Sequence, residues 1–139
     1  MTELATVAPA ITAQRIPDKQ RLNFLPRHFH MWCVAVERAV FRHLGNLCPR
    51  YTGGYWTFYD LSNGGCYMTP PPGDYVIAAA NGFSATVDAD TAGIIASLYA
   101  LSQLAFEFPT KDIFATRFHE LRAFALEHPR AREICAAID

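Results

Sequence analysis

From Phe29 onward, apolar residues fall three or four apart, at Trp32, Cys33, Val36, Val40, Leu44 and Leu47, while Glu37, Arg38 and Arg42 lie off that stripe. This spacing predicts an amphipathic helix from about Phe29 to Leu47, ended by Gly45 and Pro49. The period then changes to two. Tyr55, Thr57 and Tyr59 alternate with Trp56, Phe58 and Asp60, and a second aromatic run follows Asn63-Gly64-Gly65, which predicts a β-hairpin over residues 51–70. Asn63 and Gly64 are expected to supply the positive φ angles of a tight turn. Trp56 and Phe58 are expected in the core, with some tyrosines exposed on the opposite face.

Pro70-Pro71-Pro72-Gly73 is a stiff connection that cannot lie in a central strand. Tyr75 to Ala80 reads as a third strand, Asn81-Gly82 as a turn, and Phe83, Ala85 and Val87 as the inward side of a fourth. A helix capped by Asp88 or Asp90 then runs to about Phe106, with Ile94, Ile95, Leu98, Leu101 and Leu104 on its apolar face. Gly93 inside it costs about 1 kcal/mol of helix propensity, and a close approach to the sheet would explain it. Thr110 is placed to cap a third helix carrying Phe114, Phe118, Leu121 and Ala125. His128-Pro129 stops it, and a short helix from Arg130 to Ala137 closes the chain. The first 14 residues are expected to form a mobile arm. Residues 15–26, bracketed by Pro17 and Pro26, read as irregular chain anchored to the core by Leu22, Phe24 and Leu25. The expected fold is α+β, a single domain over residues 15–139 with a small antiparallel sheet of about four strands in meander order and about four helices.

A chain of 139 residues suits one core that buries roughly 65–70% of its unfolded surface. Cys33, Cys48, Cys66 and Cys135 have no CxxC spacing, so they read as reduced thiols and not as a zinc or redox motif. The sequence has neither the basic start and apolar run of a signal peptide nor an apolar stretch of membrane-spanning length. The cytoplasm is the expected compartment.

Twelve basic and thirteen acidic residues give a net charge of −1, unevenly spread. Residues 1–50 hold seven basic side chains against three acidic ones, whereas residues 51–110 hold five acidic side chains and no lysine or arginine. Imitation of duplex DNA needs about one negative charge per 1.7 Å of axis, which this composition does not supply over a long surface. Strong DNA binding is not expected either, since no DNA-reading motif is present.

The five histidines are scattered, and His28 and His30 lack a third ligand nearby, so no metal site is expected. Gly53-Gly54 and Gly64-Gly65 do not form a phosphate loop, and no cofactor is expected. Cys66 is the most tempting nucleophile, with no histidine placed beside it by the sequence. A small hydrolase built on Cys66 and a weak nucleic-acid-binding module using Arg15 to Arg50 are the competing classes. Exposed tyrosines make strong interface anchors. Asp139, the final residue of the sequence, presents two carboxylates suited to pairing with an arginine.

Tyr51 to Tyr55 with Trp56, then Phe58-Tyr59, Leu61-Ser62-Asn63-Gly64-Gly65 and Tyr67-Met68, resemble the signature of the ArdB/KlcA antirestriction family. Arg15, Pro17-Asp18, Arg21 and Phe24-Leu25-Pro26-Arg27-His28-Phe29 resemble that family's first segment, Ala92-Gly93-Ile94 its central helix, and Ala137-Ile138-Asp139 its ending. The chain departs from the family pattern at His30, where glycine is expected, and at Cys66. The resemblance implies a non-enzymatic inhibitor of a bacterial host's type I restriction system that protects plasmid or mobile-element DNA. Its partners would be the restriction subunits or their DNA-bound complex, and the inhibitor itself a monomer or weak homodimer. The interaction candidates are Tyr51, Tyr55, Tyr59, Asn63, Tyr67 and Asp139.

Overall fold

The computed structural model describes residues 10–139. Among these are five strands, β1 (Ala13–Arg15), β2 (Thr57–Leu61), β3 (Cys66–Thr69), β4 (Asp74–Ala78) and β5 (Ser84–Asp88). The helices are α1 (Arg21–Phe29), α2 (Cys33–Leu47), α3 (Ala89–Glu107), α4 (Asp112–Leu126) and α5 (Ala131–Ile138), with short 3-10 turns before α1 and α2. The α+β class and the single domain stand, but the strand arrangement differs from a meander. β1, β2 and β3 form one antiparallel sheet in that order, and β4 pairs with β5 in a separate hairpin.

The reason for the split lies at the far side of β3. Helix α3 occupies the place a fourth strand would take. The Ser97 hydroxyl accepts from the Met68 backbone N–H at 3.4 Å, and a side chain at Gly93 would run into the Met68 carbonyl and the Thr69 backbone. A buried amide needs a partner, and here a helix supplies it. The expected close approach at Gly93 is therefore present. α3 is buried on nearly all sides, from Thr91 and Ala92 through Leu104, and it is the axis around which α2, α4, α5 and β3 pack. Asp88 caps it, accepting from the Thr91 N–H at 2.8 Å.

Three expectations at the start of the chain need correction. Residues 1–9 of the expected arm lie outside the described residues, but Ala13 and Gln14 pair with Leu61 and Asp60 as part of β1. The Ile11 and Thr12 amides donate to Glu127 Oε1 and Ser62 Oγ. Residues 21–29 are helix, not irregular chain, despite Pro26 within α1. Phe24, Leu25, His28 and Phe29 are buried at helical spacing, and their burial outweighs the single backbone bond a proline removes. Leu22 falls off that face and is 91% exposed.

The helix expected from Phe29 to Leu47 begins only at Cys33, after a 3-10 turn over His30–Trp32; Phe29 ends α1, and the break falls at His30, whose φ of 52° and ψ of −127° no helix contains. At the fourth helix, Lys111 and not Thr110 occupies the position before the first turn, without a side-chain cap.

Candidate functional site

The β2–β3 hairpin presents two aromatic clusters, one on each face. On the first, the Arg21 guanidinium lies 4.0 Å from the Tyr55 ring centroid and 4.5 Å from that of Phe58. It also donates to the Trp56 carbonyl at 2.5 Å. Trp56 and Phe58 are buried, as their alternation predicted, and the Trp56 indole N–H donates to the Tyr51 hydroxyl at 2.7 Å. Tyr55 is 60% exposed. Gly53 and Gly54, at φ 105° and 144°, swing the chain so that Tyr55 reaches Arg21 from outside.

On the second face Tyr59 and Tyr67, direct cross-strand neighbours, stack with centroids 4.9 Å apart. Phe124 of α4 packs on Tyr67 at 5.7 Å. The Tyr67 hydroxyl donates to Asp90 Oδ1 at 2.7 Å, and His128 Nε2 meets Asp90 Oδ2 at 2.8 Å. The Arg130 backbone N–H donates to His128 Nδ1, so the ring proton lies on Nε2 and points at Asp90. Burial, reinforced by Asp90, pushes the Tyr67 hydroxyl far above its ordinary value. It is a structural donor and not a titrating group.

A third cluster joins the hairpin to α1. Asp60 accepts from Arg27 at 3.0 Å and contacts His28 Nε2 at 2.6 Å. Burial lowers the His28 pKa despite that carboxylate, so the ring is neutral at physiological pH and donates its Nε2 proton. Cys66 stands opposite Asp60 in the register, but burial pushes its thiol far up. The thiolate that nucleophilic chemistry requires is strongly disfavoured.

The six interaction candidates therefore do not form one surface. Tyr55 is exposed, Tyr51 and Tyr59 are half-buried, and Tyr67 is buried. Asn63 serves the turn. Its Nδ2 donates to the Glu120 carbonyl at 2.9 Å and its Oδ1 accepts from Gly65 N–H. Its φ is not positive, contrary to expectation; Gly64 alone, at φ 98°, takes that role in the turn. Asp139 is exposed, with its N–H bonded to the Cys135 carbonyl, and α5 is clamped by Tyr99 and Asn81 donating to its last carbonyls. Sequence reasoning missed Arg21 as the partner of Tyr55.

Among the described residues no three metal-ligating side chains converge, and no helix is long and apolar enough to cross a membrane. The pattern of the antirestriction protein family matches residues 49–139. An antirestriction protein KlcA of Escherichia coli is 42% identical over the whole of both chains. The chain belongs to the ArdB/KlcA antirestriction family. A second Escherichia coli KlcA is 42% identical over 93% of this chain and 95% of its own. The uncharacterised protein YafX of Escherichia coli K12 is 35% identical over 93% and 88%. A solved structure, 42% identical, superposes with a TM-score of 0.88 over 98% of this chain and 100% of its own. It was described with KlcA and ArdB as showing a novel fold and antirestriction activity against type I DNA restriction systems in vivo but not in vitro.

Proposed function

We propose that this chain relieves type I restriction inside the cell by contact with protein, either a restriction subunit or the DNA-bound restriction complex, and not by imitating DNA. The full-length likeness to KlcA carries the target class. The state of the carboxylates supports the mode of action. Asp18, Asp60, Asp90, Glu120 and Glu133 each pair with a basic side chain of the same chain, and Glu127 accepts a backbone amide. Acidic groups spent on internal partners do not build the continuous negative track of a duplex.

Activity of KlcA and ArdB in vivo but not in vitro weighs against inhibition by contact with purified enzyme and DNA alone, so the proposed contact is one that needs a further cellular component. The nucleic-acid reading is weakened by the same pairing. Arg15 and Arg27 are held by Asp18 and Asp60, and Arg21 is stacked on aromatic rings.

The test is survival of phage or plasmid DNA in cells carrying a type I system, with and without this chain, read together with methylation of the same DNA. Relief of restriction with modification intact is expected. Absence of relief at confirmed expression refutes the reading, and salt-sensitive binding to DNA then becomes the alternative to pursue.

A further inference from the structure

We infer that the face formed by α1 and the start of α2 is a docking groove for an acidic amphipathic helix of a protein partner. The groove encloses about 250 Å³ and is lined by Leu22 and Pro26 of α1, Val34 and Glu37 of α2, and Phe58 of β2, with Arg21 at its edge. Leu22 is 91% exposed and Val34 60%. Neither is needed by the core, which α1 satisfies with Phe24, Leu25, His28 and Phe29. Pockets for drug-sized ligands measure about 300–1,000 Å³, so this smaller volume suits one or two inserted side chains.

The backbone decides how an occupant would bind. Phe58 belongs to β2, which is paired on both sides by β1 and β3. No free strand edge lines the groove, so an incoming chain cannot add a strand. It can insert apolar side chains spaced three or four apart, as an amphipathic helix does.

Charge decides which helix. Residues 15–42 carry six basic and two acidic side chains. Arg15 and Arg27 are occupied by Asp18 and Asp60, whereas Lys19, Arg21 and Arg38 make no ion pair among the described residues. Lys19 lies one turn before Leu22, whereas Arg38, one turn beyond Val34, lines the adjoining groove with Ala35, Arg42 and Glu107. Glu37 is the lone acidic side chain in the lining. A helix with acidic flanks complements this rim. A second copy of the chain, meeting the groove about a two-fold axis, would set the same basic rims against each other.

The site goes beyond the inhibitory activity, and its test does not depend on it. The full chain is titrated, with its amide resonances followed by NMR, against a synthetic amphipathic helix bearing leucines at three- and four-residue spacing between glutamates. The same peptide with lysine in place of glutamate is the comparison. The acidic peptide is expected to shift Leu22, Val34 and Tyr55 and to bind at least about tenfold tighter than the basic one. Lys19→Glu should narrow that preference, and Leu22→Ser should weaken both peptides. Both positions are exposed, and unchanged spectra elsewhere establish that the variants fold. Equal binding of the two peptides, shifts confined to other surfaces, or a preference unmoved by charge reversal overturns the proposal. So does a sedimenting dimer that Leu22→Ser converts to monomer, which makes a second copy the occupant. Restriction relief is scored separately, so either reading can fail while the other stands.

Discussion

Gly93 of α3 sits so close to Thr69 of β3 that a β-carbon at position 93 would lie 2.7 Å from the Thr69 Cα, with the Met68 carbonyl nearer still. Both obstacles are backbone, so neither can rotate away. Gly93→Ala gains about 1 kcal/mol of helix propensity but forces α3 off the sheet edge, an overpacking cost of about 1–3 kcal/mol. The Ser97 to Met68 hydrogen bond is lost with it. Net destabilisation of about 1–2 kcal/mol is expected, read as a lower urea midpoint with an unchanged slope. Gly45, which meets nothing within 4 Å, is the control: Gly45→Ala should stabilise.

The same contact marks what the sequence could and could not convey. A glycine in an apolar helical run is a local signal, and it led directly to the close approach. That the approached strand was β3, and that the helix therefore displaced β4 into its own hairpin, depended on a long-range choice between two partners for one strand edge. Helix α1 was obscured because Pro17 and Pro26 are strong local signals for irregular chain. The opposing signal, burial of Phe24 against Phe58 at 4.7 Å, becomes visible only once the hairpin is folded. Strand alternation led to some exposed tyrosines opposite Trp56 and Phe58, but it cannot show which, nor that α4 would bring Phe124 over Tyr67.

His30 provides a second test. Its φ of 52° with ψ of −127° is a conformation that glycine adopts freely and that costs other residues of order 1–3 kcal/mol. Glycine is also what the family pattern led us to expect there. His30→Gly should stabilise the protein by about 1 kcal/mol after the entropy lost by glycine on folding is subtracted. His30→Val, branched at Cβ, should destabilise it. Thermal unfolding of the two variants beside the parent separates them, and a destabilising glycine would show that the His30 side chain makes a contact worth more than the strain.

The cap of α3 predicts a pH dependence. Burial opposes ionisation of Asp88, but hydrogen bonds from Thr91, with His128 and Arg130 nearby, outweigh it and hold the carboxyl below its ordinary value. A depressed folded-state pKa means that the contribution is complete above the unfolded value of about 4 and is lost as pH falls through the lower folded value. Asp88→Ala should therefore cost about 1 kcal/mol at neutral pH. The gap to the parent should narrow in urea titrations taken progressively below about pH 4. A gap independent of pH would show that the alanine acts through packing and not through loss of the charged cap.

Tyr55 and Tyr67 separate contact from scaffold. Tyr67→Phe removes the donor to Asp90 and should lower stability by about 1–3 kcal/mol, with restriction relief retained wherever the protein remains folded. Tyr55→Ala loses only a cation–π contact worth about 0.5–1 kcal/mol at an exposed site, yet it should reduce relief if the exposed hairpin face meets the target. Relief by both variants, at equal expression and in folded protein, would remove the hairpin tyrosines from the interface.

Cys66 bears on the hydrolase alternative. Buried opposite Asp60, its thiol is held protonated, and Cys48 is also buried, whereas Cys33 and Cys135 are partly exposed. Alkylation of the native protein at neutral pH should modify Cys33 and Cys135 first and reach Cys66 only at the rate of opening. Cys66→Ala should retain full restriction relief and lose stability through the small cavity it leaves. Rapid native alkylation of Cys66, joined to loss of relief in a folded Cys66→Ala variant, would instead point to a reactive thiol. It would require the β2–β3 strands to open at Asp60, which Cys66 faces in the register.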